Sequence, residues 1–203
     1  MLEINEIYHA AEVLKGVVRH TELIRAPKFN PDVDIYIKPE CLQLTGAFKL
    51  RGAYYKISQL TEEEKAKGVI ACSAGNHAQG VALAATHNGI RSLICLPAGA
   101  PLSKIEATRG YGAEVCLVPG VYDDAYAKAV ELQQKHGYTF VHPFDDPKVI
   151  AGQGTIGLEI LQDMPDVEAV VVPIGGGGLI SGVAFAIKTL RPDVKVYGVQ
   201  SSG

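Results

Sequence analysis

The chain has 203 residues, of which 47% are hydrophobic and 20% are charged, and its formal net charge is -3. That length can form one large or two small α/β domains with a sizeable core, and the hydrophobic fraction excludes an intrinsically disordered chain. Because there is no basic excess, we expect neither a nucleic acid nor an anionic membrane as a partner.

The N-terminal third predicts two helices separated by a strand. Apolar residues at helical spacing predict an amphipathic helix at about residues 5–15. The alternation of apolar and polar residues at 33–37 predicts a half-buried strand, which Pro39 ends. A second helical face follows over residues 53–60, and the charged stretch 61–67 is interpreted as a solvated loop or a helix start.

A regular alternation of short apolar runs and longer helical patterns begins at Val69. The predicted strands are 69–72, 92–96, 114–118 and 139–142, and the helices between them are 76–87, 103–110 and 122–136. Such alternation is typical of right-handed βαβ units around a parallel sheet.

A second α/β block follows the Asp-Asp-Pro sequence at 145–147. Its predicted elements are a helix at 150–161, a strand at 169–174, a helix at 179–190 and a strand at 194–199. Two such blocks that meet in a crevice would place ligand-binding groups at the carboxyl ends of their strands. The predicted fold class is therefore α/β, with two parallel-sheet blocks.

One lysine stands out as a candidate nucleophile. In the stretch Thr-Gly-Ala-Phe-Lys-Leu-Arg-Gly at 45–52, Lys49 lies between Phe48 and Leu50 at the start of a helical run. Desolvation there would lower the pKa of the amine and make it nucleophilic. A single lysine of this kind is more often an ordinary surface residue, so the interpretation depends on two further motifs.

Four consecutive glycines, Gly175 to Gly178, lie between a predicted strand and a predicted helix. A dinucleotide fingerprint fits poorly, because its third glycine position is Ile180 and the next strand ends at Gln200, where an acid is expected. Successive backbone N–H groups in such a loop can converge on one phosphate, and the helix N-terminus adds its dipole. A tight turn alone would not need four glycines, so we favour a phosphate-binding loop.

The third motif, Ser-Ala-Gly-Asn-His-Ala-Gln-Gly at 73–80, also joins a strand to a helix. Together with a nucleophilic lysine and a phosphate loop, it describes a site for a phosphorylated aldehyde, pyridoxal phosphate. Asn76 can hydrogen-bond the phenolic oxygen of the pyridoxal ring, although it also fits a plain helix N-cap. The candidate substrate-binding residues, whose backbone N–H groups suit a carboxylate, are Ser73, Ala74, Gly75, Asn76 and His77.

The remaining polar residues predict no second active site. The four cysteines form no C-x-x-C pair and the histidines form no H-E-x-x-H pattern, so we predict no metal site. Cys72, Cys95 and Cys116 lie in apolar runs, where buried reduced thiols are expected. Two aspartate pairs, at 123–124 and 145–146, open helical or turn segments, where capping accounts for them without glycosidase chemistry.

No targeting or membrane segment is predicted. The N-terminus has early acids and lacks the pattern of a signal peptide. The most apolar segment, residues 169–190, contains Pro173 and the four glycines, which suits a strand, loop and helix better than a membrane span. We expect a cytoplasmic, reducing location.

The three motifs, in this order and spacing, closely resemble those of the fold-type II pyridoxal-phosphate enzymes, and in particular those of the threonine dehydratase (threonine ammonia-lyase) family. The resemblance extends over essentially the whole chain. It implies that Lys49 forms the Schiff base with pyridoxal 5′-phosphate, that Phe48 packs beside the cofactor and that Asn76 binds the ring hydroxyl. It also implies that the phosphate is held by Gly175, Gly176, Gly177, Gly178 and Leu179.

Within this superfamily, the residues at the motifs favour a dehydratase. Leu50 follows Lys49, where threonine synthases resemble Phe-Lys-Asp-Arg, and the second motif differs from the Thr-Ser-Gly-Asn-Thr of cysteine synthases. Serine racemases are similar to Ser-Ser-Gly-Asn-His, whose second serine acts as an acid or base, whereas Ala74 has no proton to give. We therefore expect L-threonine and L-serine to be converted into 2-oxobutanoate or pyruvate and ammonia, with serine racemase-like activity as the enzymatic alternative.

The resemblance implies two parallel-sheet α/β domains of the tryptophan synthase β-like architecture. Residues 1–67 and 147–203 would belong to a large domain that is incomplete here, and residues 68–146 would form the small domain. The family's group that meets the pyridine nitrogen lies in the later part of the large domain. An inactive fragment or a partner-dependent subunit is therefore a further alternative. The expected partners are an amino-acid substrate and either further copies of the chain or the missing C-terminal portion.

Overall fold

The structure, a computed structural model, describes residues 2–202, in which there are eight α-helices and eight strands. The helices are α1 (Ile4–Leu14), α2 (Lys49–Ser58), α3 (Glu62–Lys67), α4 (Asn76–His87), α5 (Leu102–Gly110), α6 (Tyr122–His136), α7 (Pro147–Asp163) and α8 (Gly178–Leu190). The strands are β1 (Ile24–Arg25), β2 (Tyr36–Ile37), β3 (Val69–Cys72), β4 (Ser92–Pro97), β5 (Glu114–Val118), β6 (Thr139–Phe140), β7 (Ala169–Pro173) and β8 (Lys195–Val199). A single 3-10 turn, Glu40–Leu42, precedes α2.

Strands β3 to β6 form a four-stranded parallel sheet in the order β5-β4-β3-β6. The central strand β3 is buried on both faces: Val69 and Ala71 pack in one cluster with residues of α4, and Ile70 and Cys72 pack in another with residues of α6. Such a strand reads as a continuous apolar run, because helices cover both sides of the sheet. The predicted parallel sheet of βαβ units is confirmed.

The other two sheets have two strands each. Strands β7 and β8 are parallel, and Val172 of β7 packs in one cluster with Val183 and Ile187 of α8. Strands β1 and β2 are antiparallel and exposed. The second predicted α/β block therefore forms a parallel strand pair with its crossover helix.

Helices α2 and α7 approach each other at backbone distance. A Cβ on Gly152 of α7 would lie 2.6 Å from the Arg51 carbonyl oxygen and 2.6 Å from the Gly52 Cα, so Gly152 has no room for a side chain. The Gln153 side-chain oxygen accepts a hydrogen bond from the Gly52 N–H at 3.2 Å. Helix α7 therefore fixes the position of α2, whose first residue is Lys49.

Two predicted strands differ from the observed ones. The half-buried strand predicted at 33–37 is wrong, because only Tyr36–Ile37 pairs with β1 and both residues are exposed. Alternation reports burial only where a second layer covers one face, and prolines before and after this stretch limit its pairing. The strand predicted at 139–142 ends at Phe140, because the carbonyls that follow it bond to side chains instead of a neighbouring strand.

Three cysteines in apolar runs are predicted to be buried, reduced thiols. Cys72 and Cys95 are buried and Cys116 is half-buried, and all three are free thiols. Burial raises the pKa of the Cys72 thiol to about 11, as expected of a core cysteine.

Within the described residues, no helix combines the length and the apolar character needed to cross a bilayer. The domain boundaries at 67/68 and 146/147 stay a prediction.

We expect Gly152→Ala to lower the free energy of unfolding by about 2–3 kcal/mol, because the added methyl group overlaps the backbone of α2. Gly110→Ala is the matched control, since a Cβ on Gly110 would meet nothing within 4 Å. Urea denaturation of the two variants and the parent chain measures the difference. A loss below about 0.5 kcal/mol for Gly152→Ala would contradict this close packing.

Candidate active site

The amine of Lys49 lies in a half-buried position at the N-terminus of α2. Its Nζ donates a hydrogen bond to the Pro143 carbonyl oxygen at 2.6 Å and lies 5.4 Å from the centre of the Phe48 ring. Burial lowers the pKa of the Lys49 ammonium, and the positive end of the α2 dipole acts in the same direction. Both effects increase the fraction of neutral amine, which is the nucleophilic form.

Helix α4 brings the 73–80 motif against this lysine. A Cβ on Gly80 would lie 3.1 Å from the Lys49 carbonyl carbon, so the last glycine of the motif is required by the contact between α4 and α2. The N-cap of α4 is Gly75, and Asn76 is the first helical residue. The N-cap interpretation of Asn76 is therefore wrong. Asn76 is exposed, which leaves its amide accessible to a ligand.

In the turn before α4, the Ser73 N–H already donates a hydrogen bond to the Cys95 carbonyl oxygen at 3.3 Å. Ser73, Ala74 and Gly75 are half-buried, and the Ser73 hydroxyl oxygen accepts a hydrogen bond from the Gly75 N–H at 3.2 Å. No side chain caps α4, so its first N–H groups, beginning at Asn76 and His77, are the ones available to an anion.

The glycine loop leads from β7 into α8. Gly177 has φ +89° and is the N-cap of α8, which begins at Gly178 without a side-chain cap. The first N–H groups of α8 therefore form an uncapped, positive helix end that suits a phosphate. A Cβ on Gly175 or Gly177 would meet nothing within 4 Å, so open space lies beside this part of the loop.

Phe144 accounts for two of the four glycines. A Cβ on Gly176 would overlap the Phe144 ring, and one on Gly178 would lie 2.6 Å from the Phe144 carbonyl oxygen. Packing therefore requires Gly176 and Gly178 with or without a phosphate, so the inference of a phosphate loop from the number of glycines is wrong. The case for an anion site depends instead on the uncapped end of α8.

The residues that follow β6 connect all three motifs, and no sequence motif identified them. His77 Nε2 lies 2.8 Å from the Val141 carbonyl oxygen, Lys49 bonds to the Pro143 carbonyl, and Phe144 packs on the glycine loop. These residues leave the carboxyl end of a parallel strand, where ligand sites of α/β sheets lie. Their position directly after a strand of the parallel sheet is the signal from which these residues could have been predicted.

The His77 ring is a buried, neutral group. It is 3% exposed, and its Nδ1 has no hydrogen-bond partner within residues 2–202. Burial lowers the pKa of His77 to about 4, and the nearby Lys49 and His142 act in the same direction. Because the ring faces the Val141 carbonyl, a contact between His77 and a substrate would use the backbone N–H.

A buried ion-pair network anchors the helix that carries the lysine. The Arg51 guanidinium is fully buried and pairs with Glu40 at 2.8 Å and with Glu159 at 2.6 Å. Lys38 pairs with Glu159 at 2.7 Å. Removing one partner of a buried pair costs about 3–5 kcal/mol, because the other charge stays uncompensated. The lysine motif includes Arg51, but the partners of Arg51 lie 11 and 108 residues away in the chain, so no local pattern predicts them.

One aspartate of each predicted pair pairs with backbone N–H groups at the start of a helix, as expected of a capping role. Asp146 is the N-cap of α7, and its side chain accepts hydrogen bonds from the N–H groups of Lys148 and Val149. The Asp124 carboxylate accepts a hydrogen bond from the Val121 N–H at the start of α6.

The model of one protein family, described as "Pyridoxal-phosphate dependent enzyme", matches residues 14–203. The chain belongs to this family. Its cofactor is therefore pyridoxal 5′-phosphate, in agreement with the three motifs. The fold-type II architecture expected from the resemblance is confirmed, with part of the large domain represented.

Relatives within the pyridoxal-phosphate family include enzymes that act on threonine. The chain is 57% identical over 203 residues to the L-threonine ammonia-lyase of Thermotoga maritima, covering 99% of this chain and 51% of that protein. It is 51% identical over 200 residues to the catabolic L-threonine dehydratase of Escherichia coli K12, covering 98% of this chain and 61% of that protein. The chain thus spans about half to three-fifths of the length of these relatives.

Solved structures of the family share the same fold. Maize serine racemase superposes with a TM-score of 0.94 at 36% identity, over 97% of this chain and 60% of that one. Threonine deaminase isoform 2 of Solanum lycopersicum superposes with a TM-score of 0.91 at 43% identity, over 98% and 56%. Because a threonine deaminase and a serine racemase fit almost equally well, the fold alone does not select the reaction.

We expect the stability of the chain to fall as the pH drops from 6.5 towards 4, because the unfolded chain then protonates His77 while the folded chain does not. The full effect amounts to at most about 3 kcal/mol. His77→Gln should remove this part of the pH dependence. Urea denaturation between pH 7.5 and pH 4.5 compares the two proteins, and equally steep losses of stability would contradict a neutral, buried His77.

Proposed function

We propose that the chain carries the cofactor site of an L-threonine ammonia-lyase, which converts L-threonine into 2-oxobutanoate and ammonia and L-serine into pyruvate and ammonia. The observation that carries this proposal is the meeting of three motifs around one short segment: Lys49 bonds to Pro143, His77 bonds to Val141, and Phe144 packs on the glycine loop. The relatives named as L-threonine ammonia-lyase and L-threonine dehydratase, at 57% and 51% identity, support the choice of substrate.

The residues present suit pyridoxal 5′-phosphate chemically. Lys49 has an amine of lowered pKa to bond the aldehyde, and the uncapped start of α8, in the stretch Gly175 to Leu179, provides N–H groups for the phosphate. Asn76 would hydrogen-bond the phenolic oxygen from its exposed position, and Phe48 would pack beside the ring. The phosphate-binding residues in this proposal are Gly175, Gly176, Gly177, Gly178 and Leu179.

The chain's own residues would orient the substrate and move one proton. The substrate carboxylate would bind the turn at 73–77, chiefly through the free N–H groups at the start of α4. Lys49 Nζ, once neutral and released, would remove the proton from the substrate Cα. When bound, the cofactor supplies an electron sink that stabilises the resulting negative charge. Loss of the β-hydroxyl as water and hydrolysis of the remaining C–N bond give the 2-oxo acid and ammonia, so the overall change consumes no further reactant.

Serine racemisation is the second candidate, favoured by the close superposition on maize serine racemase. Racemisation needs a proton donor on the face of the substrate opposite Lys49. The position that the resemblance assigns to this donor is Ala74, whose methyl side chain cannot transfer a proton. The proposal therefore ranks elimination above racemisation.

The wider setting of the activity is part of the same proposal. The proposed partners are a small amino-acid substrate and either further copies of the chain or the portion of the protein that completes the large domain, in a cytoplasmic location. The chain covers 51% and 61% of the two relatives, so the residues that complete the site would come from outside this stretch. A chain that binds the cofactor without turning over threonine would support the fragment or partner-dependent alternative.

Lys49→Ala should abolish both the absorbance of the lysine-bound cofactor and the formation of 2-oxobutanoate from L-threonine, because no other group replaces its amine. Lys128→Ala is the matched control, since Lys128 is half-exposed on α6 and pairs with Glu131. A spectral titration with pyridoxal phosphate and a 2-oxo acid assay measure the two effects. Turnover by Lys49→Ala at the rate of the Lys128→Ala control would contradict the assignment.

Incubation with L-serine should give pyruvate and ammonia without accumulation of D-serine, because Ala74 cannot return a proton to the second face. Chiral chromatography of the remaining serine measures the outcome. D-serine formed at a rate comparable to that of pyruvate would reverse the ranking and favour the racemase alternative.

A further inference from the structure

We propose that the His77 ring is a positioning residue for Lys49: it holds the Val141 carbonyl and thereby keeps the Pro143 carbonyl where it binds Lys49 Nζ. This inference rests on the proposed function, in which Lys49 binds the cofactor. It gives the His77 side chain a task that is separate from substrate binding.

In the hydrogen bond between His77 and Val141, the histidine ring is the donor. A carbonyl oxygen only accepts, so Nε2, at 2.8 Å, must carry the hydrogen and donate it. Nδ1 is then the unprotonated nitrogen, and it is buried without a partner in the described part of the chain. The tautomer is therefore set by this one bond, and the ring acts as a donor to the backbone.

Hydrogen bonds on both sides of Pro143 hold the 141–144 segment in place. The Val141 N–H donates to the Ile70 carbonyl of β3 at 2.9 Å, so this residue is held to the sheet on one side and by His77 on the other. His142 Nδ1 accepts a hydrogen bond from the Asp145 N–H at 2.8 Å, which closes the turn around Pro143. Two fixed points on either side leave the Pro143 carbonyl little freedom.

The 141–144 segment contacts both the lysine and the glycine loop. The Pro143 carbonyl accepts the Lys49 hydrogen bond, and Phe144 fills the space against Gly176 and Gly178. Release of the Val141 carbonyl would loosen both contacts together, the acceptor of the lysine and the support of the glycine loop. One buried donor on α4 thus acts on the lysine and on the loop.

The electrostatic surroundings fit a positioning role. The titratable groups that face the ring are Lys49 from α2 and His142 from the segment itself, and both are of the kind that disfavours a charged imidazole. A neutral ring buried at 3% exposure cannot exchange protons with a substrate, but it can hold a carbonyl. Loss of the donor would leave the Val141 carbonyl buried and unpaired.

The test compares the reactivity of Lys49 in cofactor-free variants. Competitive labelling with acetic anhydride, followed by mass spectrometry, reports the reactivity of Lys49 relative to the half-exposed Lys128 of α6 in the same sample. In His77→Phe, which keeps a ring but no donor, Lys49 should be labelled about fivefold faster or more than in the parent chain, the factor expected from one lost hydrogen bond. His77→Gln, which can still donate to the carbonyl, should stay within about twofold of the parent chain.

A control separates positioning from general destabilisation. Thr108→Val removes a buried hydroxyl that donates to the Lys104 carbonyl at 2.9 Å, within α5. Labelling of Lys49 in this variant should match the parent chain. Equal labelling in His77→Phe and the parent chain, or an equal increase in Thr108→Val, would overturn the role of His77.

Cofactor affinity gives a second measurement that distinguishes this inference from the proposed function. His77→Phe should weaken the binding of pyridoxal phosphate about fivefold or more, with His77→Gln restoring it. If Lys49→Ala keeps the absorbance of the lysine-bound cofactor, the proposed function fails. If Lys49→Ala loses that absorbance while His77→Phe keeps the parent affinity and labelling, only the role of His77 fails.

Discussion

Backbone contact between α2 and its two neighbouring helices is the constraint on which the candidate site depends. Gly80 of α4 touches the Lys49 backbone, and Gly152 of α7 touches Gly52 one turn further on. Because no side chain separates these backbones, the lysine cannot shift without breaking a close contact. The buried ion pairs of Arg51 hold the same helix, so the backbone of Lys49 is fixed by packing and by charge together.

The electrostatics of the site follow from where the helices begin. Helices α2, α4 and α8 all start without a side-chain cap, and Lys49 is the first residue of α2. Such ends present N–H groups and the positive end of the helix dipole, which suits a phosphate and a carboxylate. Burial meanwhile favours the neutral amine of Lys49, which lies with the uncapped starts of α4 and α8 around the 141–144 segment.

Local patterns predicted most of the fold. The bounds of α4, α6, β3 and β5 match the predicted ranges, because periodicity within one element is enough to define them. The half-buried strand predicted at 33–37 is wrong, because no second layer of structure covers either face of this exposed stretch. Asn76 failed as an N-cap because the helix begins at that residue and Gly75 takes the cap position.

The parts of the site that the sequence did not predict depend on long-range contacts. Phe144 explains Gly176 and Gly178 through contacts across more than thirty residues, counted from the sequence positions. Arg51 and His77 bond to partners 108 and 64 residues away. The motif residues indicate the chemistry of the site. The groups that hold them in place are distant in the chain and produce no local sequence pattern.

A crystal structure of the protein with pyridoxal phosphate tests the central claim most directly. The account predicts continuous density from Lys49 Nζ to the cofactor and the phosphate at the N-terminus of α8, against Gly175 to Leu179. Cofactor bonded to another lysine, or a phosphate bound away from the start of α8, would contradict it.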